Sequence, residues 1–422
     1  MQNVKQLIHD VLTKGKLKED RTGVGRISLF GPQLSFDLTQ GFPALTLKKL
    51  PFKTMVVETL WFLRGEETCE YLDEHNCKIW KEWTHPTLNS VGPMYGKQLR
   101  HYPSIRGEID QFKIAIEKFK QRPFASDNVI TLWNPATVPD YYDKDGNKRT
   151  AECNVEEGMQ ALANCHGTVF QLFGEPLTVE ETLNAMDTYH LLRIYKRLSY
   201  DMRGSLKAHM RKTEGYWSDA DYQYALDIKC DIDLTISSII ADIEEGRDVA
   251  KYRENMINDI LKLMPGGKWY FYSNSLCNPY DLKDDADYTK ATEEEVKANI
   301  IKVLKIPTVG LRTKMYQRSQ DLITAIGFNV SQYALLTHII AELTNSVPLE
   351  YIQTWGDVHI YSNHVEAAKE MLTREPYPAP ILSIDKSLEL SDFDTDDFQV
   401  EPNDFSLIGY QSHPAIKTDI AV

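Results

Sequence analysis

The chain has 422 residues, 42% of them hydrophobic, and a formal net charge of −14. Such acidity excludes a general nucleic-acid binder, which needs a basic face, and no apolar run approaches the roughly 18 to 20 residues of a membrane span. The six cysteines form no CxxC pair and no cluster, which fits neither a zinc site nor a disulfide framework. With no signal-peptide core after Met1-Gln2-Asn3-Val4-Lys5, the expectation is a soluble, cytoplasmic protein with no metal site.

In chain order, the pattern predicts a helix over 4–17, then a turn-rich loop, Asp20-Arg21-Thr22-Gly23-Val24-Gly25. Residues 26–38 alternate like a strand. Residues 52–65 read as a helix with a nearly continuous apolar surface, hence a core element. Its one acid, Glu58, is either a proton handler with a burial-raised pKa or part of a structural network. Ile79-Trp80-Lys81-Glu82-Trp83 and Gly92-Pro93-Met94-Tyr95-Gly96 set aromatics beside turn residues, as a cleft wall would. Strands are predicted over 128–133, 308–316 and 352–359, helices over 331–344 and 365–372, and an acidic, extended tail from 388.

Between Gly174 and Pro307 the texture changes. Thr178-Val179-Glu180-Glu181 has the spacing of a capping box, and the stretch to about 305 is helix-rich, charged and Tyr-rich. A strand on either side makes it an insertion hung on a hairpin, with the length of a small domain.

The chemistry concentrates elsewhere. Cys165-His166 offers a thiol nucleophile, and Tyr316-Gln317-Arg318-Ser319-Gln320-Asp321 an arginine able to grip phosphate in a fork. Phe328-Asn329 adds an amide with one acceptor and two donor hydrogens, suited to the edge of a pyrimidine. Together they point to covalent attack on a nucleotide base.

Outside the insertion the chain resembles thymidylate synthase and its relatives, the phage-type pyrimidine nucleotide hydroxymethylases. The motifs are Asp20-Arg21-Thr22-Gly23, Glu58 with Trp61-Phe62-Leu63, Ile79-Trp80 with Trp83, Gly92 to Gln98, Cys165-His166, Tyr316-Gln317-Arg318-Ser319 with Asp321, Gly327-Phe328-Asn329, Gly356 to His364, Gly409-Tyr410, His413-Pro414 and Ala421-Val422. The resemblance covers 1–174 and 306–422 as catalytic domain, leaving 175–305 as an insertion of unassigned role. It implies an α/β (α+β) fold built on a bent mixed sheet with flanking helices, a homodimer, 5,10-methylenetetrahydrofolate as one-carbon donor and a deoxyuridylate-type substrate.

Carried over residue by residue, the resemblance makes Cys165 the nucleophile at C6 of the pyrimidine and has Glu58 organise waters for proton transfer, with Tyr95 in the catalytic set. Arg318 holds phosphate beside the thiol, with Arg21, Ser319 and Gln317 assisting. Asn329 reads the base, while His359 and Tyr361 hold the ribose hydroxyl. Asp321 binds the pterin, Trp80, Trp83, Gly327 and Phe328 surround it, Lys48 meets the glutamate tail and Val422 closes over the folate. An amide rather than an acid at Asn329 favours uracil over cytosine.

Three features depart from that pattern. Ser126 and Asp127 stand where the family has an arginine pair that reaches the partner's phosphate; Asn164 replaces a proline before the thiol; and the step from Cys165 to Gln171 is one residue longer. The basic run Lys207-Ala208-His209-Met210-Arg211-Lys212 in the insertion is one candidate replacement for the lost cations, and a solvated helix face is the plainer reading of it.

Two reactions share the early steps. Hydride transfer gives a methyl group, which Trp80 and the C-terminal tail favour by excluding water. Attack by water gives hydroxymethyl, on deoxyuridylate or deoxycytidylate, which the lost arginines and the insertion favour. Methylation is preferred. A non-catalytic nucleotide-binding relative is the reading from another class, opposed by the joint presence of Cys165, Glu58, Arg318 and Asn329.

Overall fold

The computed structural model describes residues 1–19, 23–211, 219–245, 247–266 and 292–418. In chain order its strands are β1 (Lys16–Lys18), β2 (Arg26–Phe30), β3 (Gln33–Asp37), β4 (Tyr102–Ser104), β5 (Gly107–Ile109), β6 (Val129–Ile130), β7 (Val169–Pro176), β8 (Val309–Asp321), β9 (Val347–Tyr361), β10 (Ile381–Ile384) and β11 (Phe405–Ile408). The main sheet runs β1-β2-β9-β8-β7-β6, with β3 also paired to β9. β4 pairs β5, and β10 pairs β11, as separate hairpins.

β9 is long enough to take two partners end to end. Phe30 lies opposite Asp357 and Gln33 opposite Thr354, so the chain steps from β2 to β3 without leaving β9. Gly31 makes the step, at φ +81°, a conformation most side chains avoid. Its N–H donates to the Gly356 oxygen at 2.9 Å.

Two apolar helices supply the core under the sheet. Phe52–Arg64 buries every residue from Met55 to Leu63, Glu58 among them, and stops at Gly65, whose left-handed φ of 77° forms the C-cap. Ile326–Thr344 is buried along almost its whole length and ends at Asn345, also left-handed. Each aliphatic side chain so buried contributes about 1.5–3 kcal/mol. The other face of the sheet keeps exposed apolar side chains: Val129 at 45%, Val169 at 41%, Phe173 at 46% and Tyr316 at 37%.

The chain divides into two compact units, Met1–Glu175 with Leu311–Val422, and Pro176–Gly310. The second is helical, with Val179–Ala185, Thr188–Arg211, Asp219–Glu244, Arg253–Gly266 and Glu293–Leu304. Thr178 and Glu181 do form a capping box, as do Thr292 and Glu295. Leu191, Leu198, Ile239, Ile260 and Ile300 are buried in this unit. Asp242 is tied there by Arg247, Lys251 and the Tyr252 hydroxyl.

Some local expectations shift. The first helix is Gln2–Lys14, and Leu17 belongs to β1 rather than to the helix. The strand predicted over 128–133 shrinks to Val129–Ile130 because the Gln111 amide captures Thr131, accepting from its N–H at 3.0 Å and donating to its oxygen at 2.7 Å. The tail is not merely extended: it supplies β11, which pairs with β10. No helix among the described residues is long and apolar enough to cross a membrane.

Candidate active site

Cys165 sits just ahead of β7, and Arg318 sits on β8, the neighbouring strand. The sheet therefore brings together two residues far apart in sequence. The N–H of Arg318 donates to the Cys165 oxygen at 2.8 Å. Its guanidinium Nε and Nη2 donate to the oxygens of Asn164 and Ala163 at 3.2 and 3.1 Å, and Nη2 also reaches the Cys165 Sγ at 3.8 Å. A cation held against a thiol favours its thiolate, the nucleophilic form.

On its other side Cys165 is steadied by Tyr95, whose buried hydroxyl accepts the Cys165 N–H at 3.0 Å. His166 stacks on the Tyr95 ring at 4.2 Å and 8°, with Nδ1 3.0 Å from the Tyr333 hydroxyl. Burial pushes its imidazole down to about 3. His166 is therefore neutral at physiological pH, a packed partner of the aromatic wall rather than the base for the thiol.

Glu58 is a buried acid of the cleft whose pKa is shifted. Burial pushes its carboxyl up to about 7, partly offset by donors from Trp80 and Gln332. Trp80 Nε1 donates to Oε1 at 2.8 Å, and the Gln332 amide donates to Oε2. Both readings of this acid thus coexist: it is netted into hydrogen bonds, yet its pKa lies where it can give and take a proton.

These groups face one cleft of about 430 Å³, a size suited to small-molecule ligands. Of the predicted residues, Cys165, Glu58, Arg318, Asn329, Tyr95 and Asp321 line it, with Gln317, Ser319, His359, Tyr361, Trp80, Trp83 and Phe328. Asn329 is 6% exposed, its amide at the wall of the cleft. His359 and Tyr361 meet edge to face at 4.9 Å. Behind them Asp357 lies 3.7 Å from His359 Nδ1 and takes donors from Ser28 and Arg26. Burial opposes its charge, but His359, Ser28 and Arg26 hold it down at about 2.

Lys48 and Gly327 are not on the cleft wall. Lys48 is half-buried; burial lowers its ammonium pKa, and the Asp321 charge partly restores it. Gly327 is a packing glycine, since a Cβ there would stand 3.0 Å from Leu45 Cδ2. Arg21 and Val422 lie outside the described residues, as do Lys212 and the side chains of Lys207 to Arg211. The wall also carries residues the sequence reading did not single out: Arg26, Tyr141, Thr324 and Gln332. Gln332 carried a signal, because it lies three residues from Asn329 on one helix and so shares its face.

A family model described as Thymidylate synthase matches residues 2–188 and 296–422. The chain belongs to the thymidylate synthase family. Members of this family transfer one-carbon units to deoxyuridylate and use a folate cofactor. The stretch the family model leaves out, 189–295, falls inside the helical unit Pro176–Gly310.

The cleft fits a folate ring system on its own evidence. Trp80, Trp83 and Phe328 offer flat apolar walls. Asp321 is half-buried: burial opposes its charge, while His364 and Thr324 hold the carboxyl below its usual value. Its Oδ1 accepts from the N–H groups of Ile323 and Thr324 at 2.9 and 3.1 Å, which leaves acceptor capacity for a ring N–H.

Ser126, Asp127, Asn164 and the step from Cys165 to Gln171 have plain local structures. Asp127 is a surface carboxylate paired with Lys118 at 2.7 Å and Arg122 at 3.3 Å, and neither it nor Ser126 lines the cleft. Asn164 is wholly buried, and its Nδ2 donates to the Leu132 oxygen at 2.7 Å. The step from Cys165 to Gln171 contains Gly167 at φ +67°, packed against Tyr333 and Leu132.

Proposed function

We propose that this protein transfers a one-carbon unit from 5,10-methylenetetrahydrofolate to C5 of deoxyuridylate through a covalent Cys165 adduct, ending in reductive methylation. The observation that carries the reading is the Arg318 guanidinium 3.8 Å from the Cys165 Sγ, in the same cleft as the Asn329 amide and Glu58. Folate bound by Asp321, Trp80, Trp83 and Phe328 would supply the carbon unit and the hydride.

The chain's own groups then divide the work. Arg318 keeps Cys165 as thiolate and meets the phosphate with Ser319, Gln317 and Arg21. Addition of sulfur to C6 makes C5 nucleophilic, which is covalent catalysis. Asn329 presents its amide to the uracil edge, and His359, steadied by Asp357, orients the ribose hydroxyl with Tyr361. Glu58, with a pKa of about 7, relays the proton lost from C5, while Tyr95 fixes the backbone under the thiol. Trp80 and Trp83 keep bulk water away.

Hydroxymethylation is the second reading. It is favoured by the same Glu58, since a buried carboxyl near 7 can deprotonate a water, and by the half-exposed Tyr141 at the cleft. Product analysis separates the two: dihydrofolate marks hydride transfer, whereas unreduced tetrahydrofolate marks hydroxymethylation. No tritium release from C5-labelled deoxyuridylate with folate present, under conditions where the nucleotide binds, would leave a binding protein instead.

The protein acts as a homodimer on this reading, with a second copy covering the exposed Val129, Val169, Phe173 and Tyr316 of the open sheet face. Residues 1–174 and 306–422 form its catalytic domain, and 175–305 the inserted one. Sedimentation of the full chain at micromolar concentration as a single 48.5 kDa species would remove the dimer from the account.

A further inference from the structure

Strand β2 lies against β9 with Arg26 opposite Tyr361 and Ser28 opposite His359. Residues directly opposite in an antiparallel pair share a face. Arg26 therefore stands on the face from which His359 and Tyr361 reach the cleft, and its side chain lines that cleft. Among the described lining residues, Arg26 and Arg318 are the only lysines or arginines. Arg318 is already engaged with the oxygens of Asn164 and Ala163.

Arg26 is differently committed. Its Nη2 pairs with the Asp357 Oδ2 at 2.9 Å, which anchors the guanidinium. Its Nε is buried and has no hydrogen-bond partner among the described residues. A buried donor on a permanent cation is costly to leave unpaired, and an anionic ligand oxygen is the acceptor that suits it best. Asp357 is held in turn by Ser28, which also receives Lys18 Nζ at 3.2 Å, so the anchor is fixed before any ligand arrives.

We propose that Arg26 is a direct, own-chain ligand of the substrate's phosphate monoester, using its Nε–H alongside Arg318. This rests on the nucleotide reading above and deepens it, by placing a phosphate cation on β2. The rival role is a clamp that acts only through Asp357 to orient His359 at the ribose.

The test is equilibrium titration of the full chain and its Arg26→Gln and Arg26→Lys variants with three probes: deoxyuridylate, 2′-deoxyuridine and inorganic phosphate. Arg26→Gln should weaken deoxyuridylate and phosphate binding about 10- to 100-fold and leave deoxyuridine binding unchanged. Arg26→Lys should recover only part of the loss, because a point charge does not replace the fork. Equal losses for nucleotide and nucleoside overturn the proposal in favour of the clamp, and unchanged phosphate binding overturns it outright. If Arg26→Gln does not fold, Arg26→Lys must still lose more affinity for deoxyuridylate than for deoxyuridine; equal changes overturn the proposal.

The two readings fail differently. A wild-type chain whose phosphate binding depends on Arg26, but which ignores deoxyuridylate, keeps the anion ligand and sinks the substrate assignment. A chain that binds neither sinks both.

Discussion

The Nη2 of Arg318 stands 3.8 Å from the Sγ of Cys165, and the same residue's backbone N–H donates to the Cys165 oxygen at 2.8 Å. One residue therefore fixes both the position of the thiol and the charge beside it. Arg318→Gln should slow alkylation of Cys165 at pH 7 about 10-fold, because the cation that favours the thiolate is gone. Peptide mass spectrometry must read the site, because Cys153 and Cys230 are also exposed. An unchanged rate would mean that the guanidinium does not govern the thiol.

Glu58 yields a prediction with a definite sign. Burial raises its carboxyl from 4.5 to about 7, so between those values the folded chain holds a proton that the unfolded chain has released. Stability on this account is lost as pH rises through that window. Glu58→Gln should flatten the slope and gain on the order of 3 kcal/mol relative to the wild type above pH 7. Tritium release should fall about 100- to 1,000-fold in the same variant. Parallel stability curves for the two proteins would refute the assignment.

Gln332 gives an independent handle on the same carboxyl. Its amide donates to Glu58 Oε2 and lowers the pKa against the pull of burial. Gln332→Leu should move the acidic limb of the kcat/KM profile to higher pH. It should also destabilise the ionised form by about 1.5–3 kcal/mol, the worth of a hydrogen bond to a charged group. A profile that stays in place would show that the contact has no effect on the proton.

Gly167 lies two residues after Cys165 in a backbone conformation that most side chains avoid. It sits at φ +67°, and a Cβ there would come within 2.3 Å of the Tyr333 hydroxyl and 2.4 Å of Leu132 Cδ1. Gly167→Ala should cost about 2 kcal/mol or more in denaturant melts, from backbone strain and overpacking together. Because His166 stacks on Tyr95, tritium release should drop as well. Full stability in Gly167→Ala would contradict this packing.

Residue type alone made Cys165, Arg318 and Asn329 readable as a set, since a thiol, a fork and an amide have few joint uses. Glu58 stood out because it interrupts an apolar helix. Arg26 did not, because an arginine in an alternating strand looks like a solvent-facing residue until β2 is known to pair with β9, far away in the chain. Tyr141 lies in a loop with no periodicity to place it. The truncated strand at Val129–Ile130 depended on the Gln111 side chain, a long-range capture that local pattern does not encode. Lys48 and Gly327 came only through resemblance, and both stand back from the cleft wall.

The helical unit Pro176–Gly310 enters and leaves through β7 and β8, the strands that bring Cys165 and Arg318 together. Closing a floppy loop of roughly 130 residues instead of a turn of about five would add about 3 kcal/mol of chain entropy to that strand pairing. A folded unit with its two ends already close cancels most of this debt. Melting the helices by themselves should therefore loosen the grip of arginine on sulfur, although no helical side chain need touch the reacting atoms.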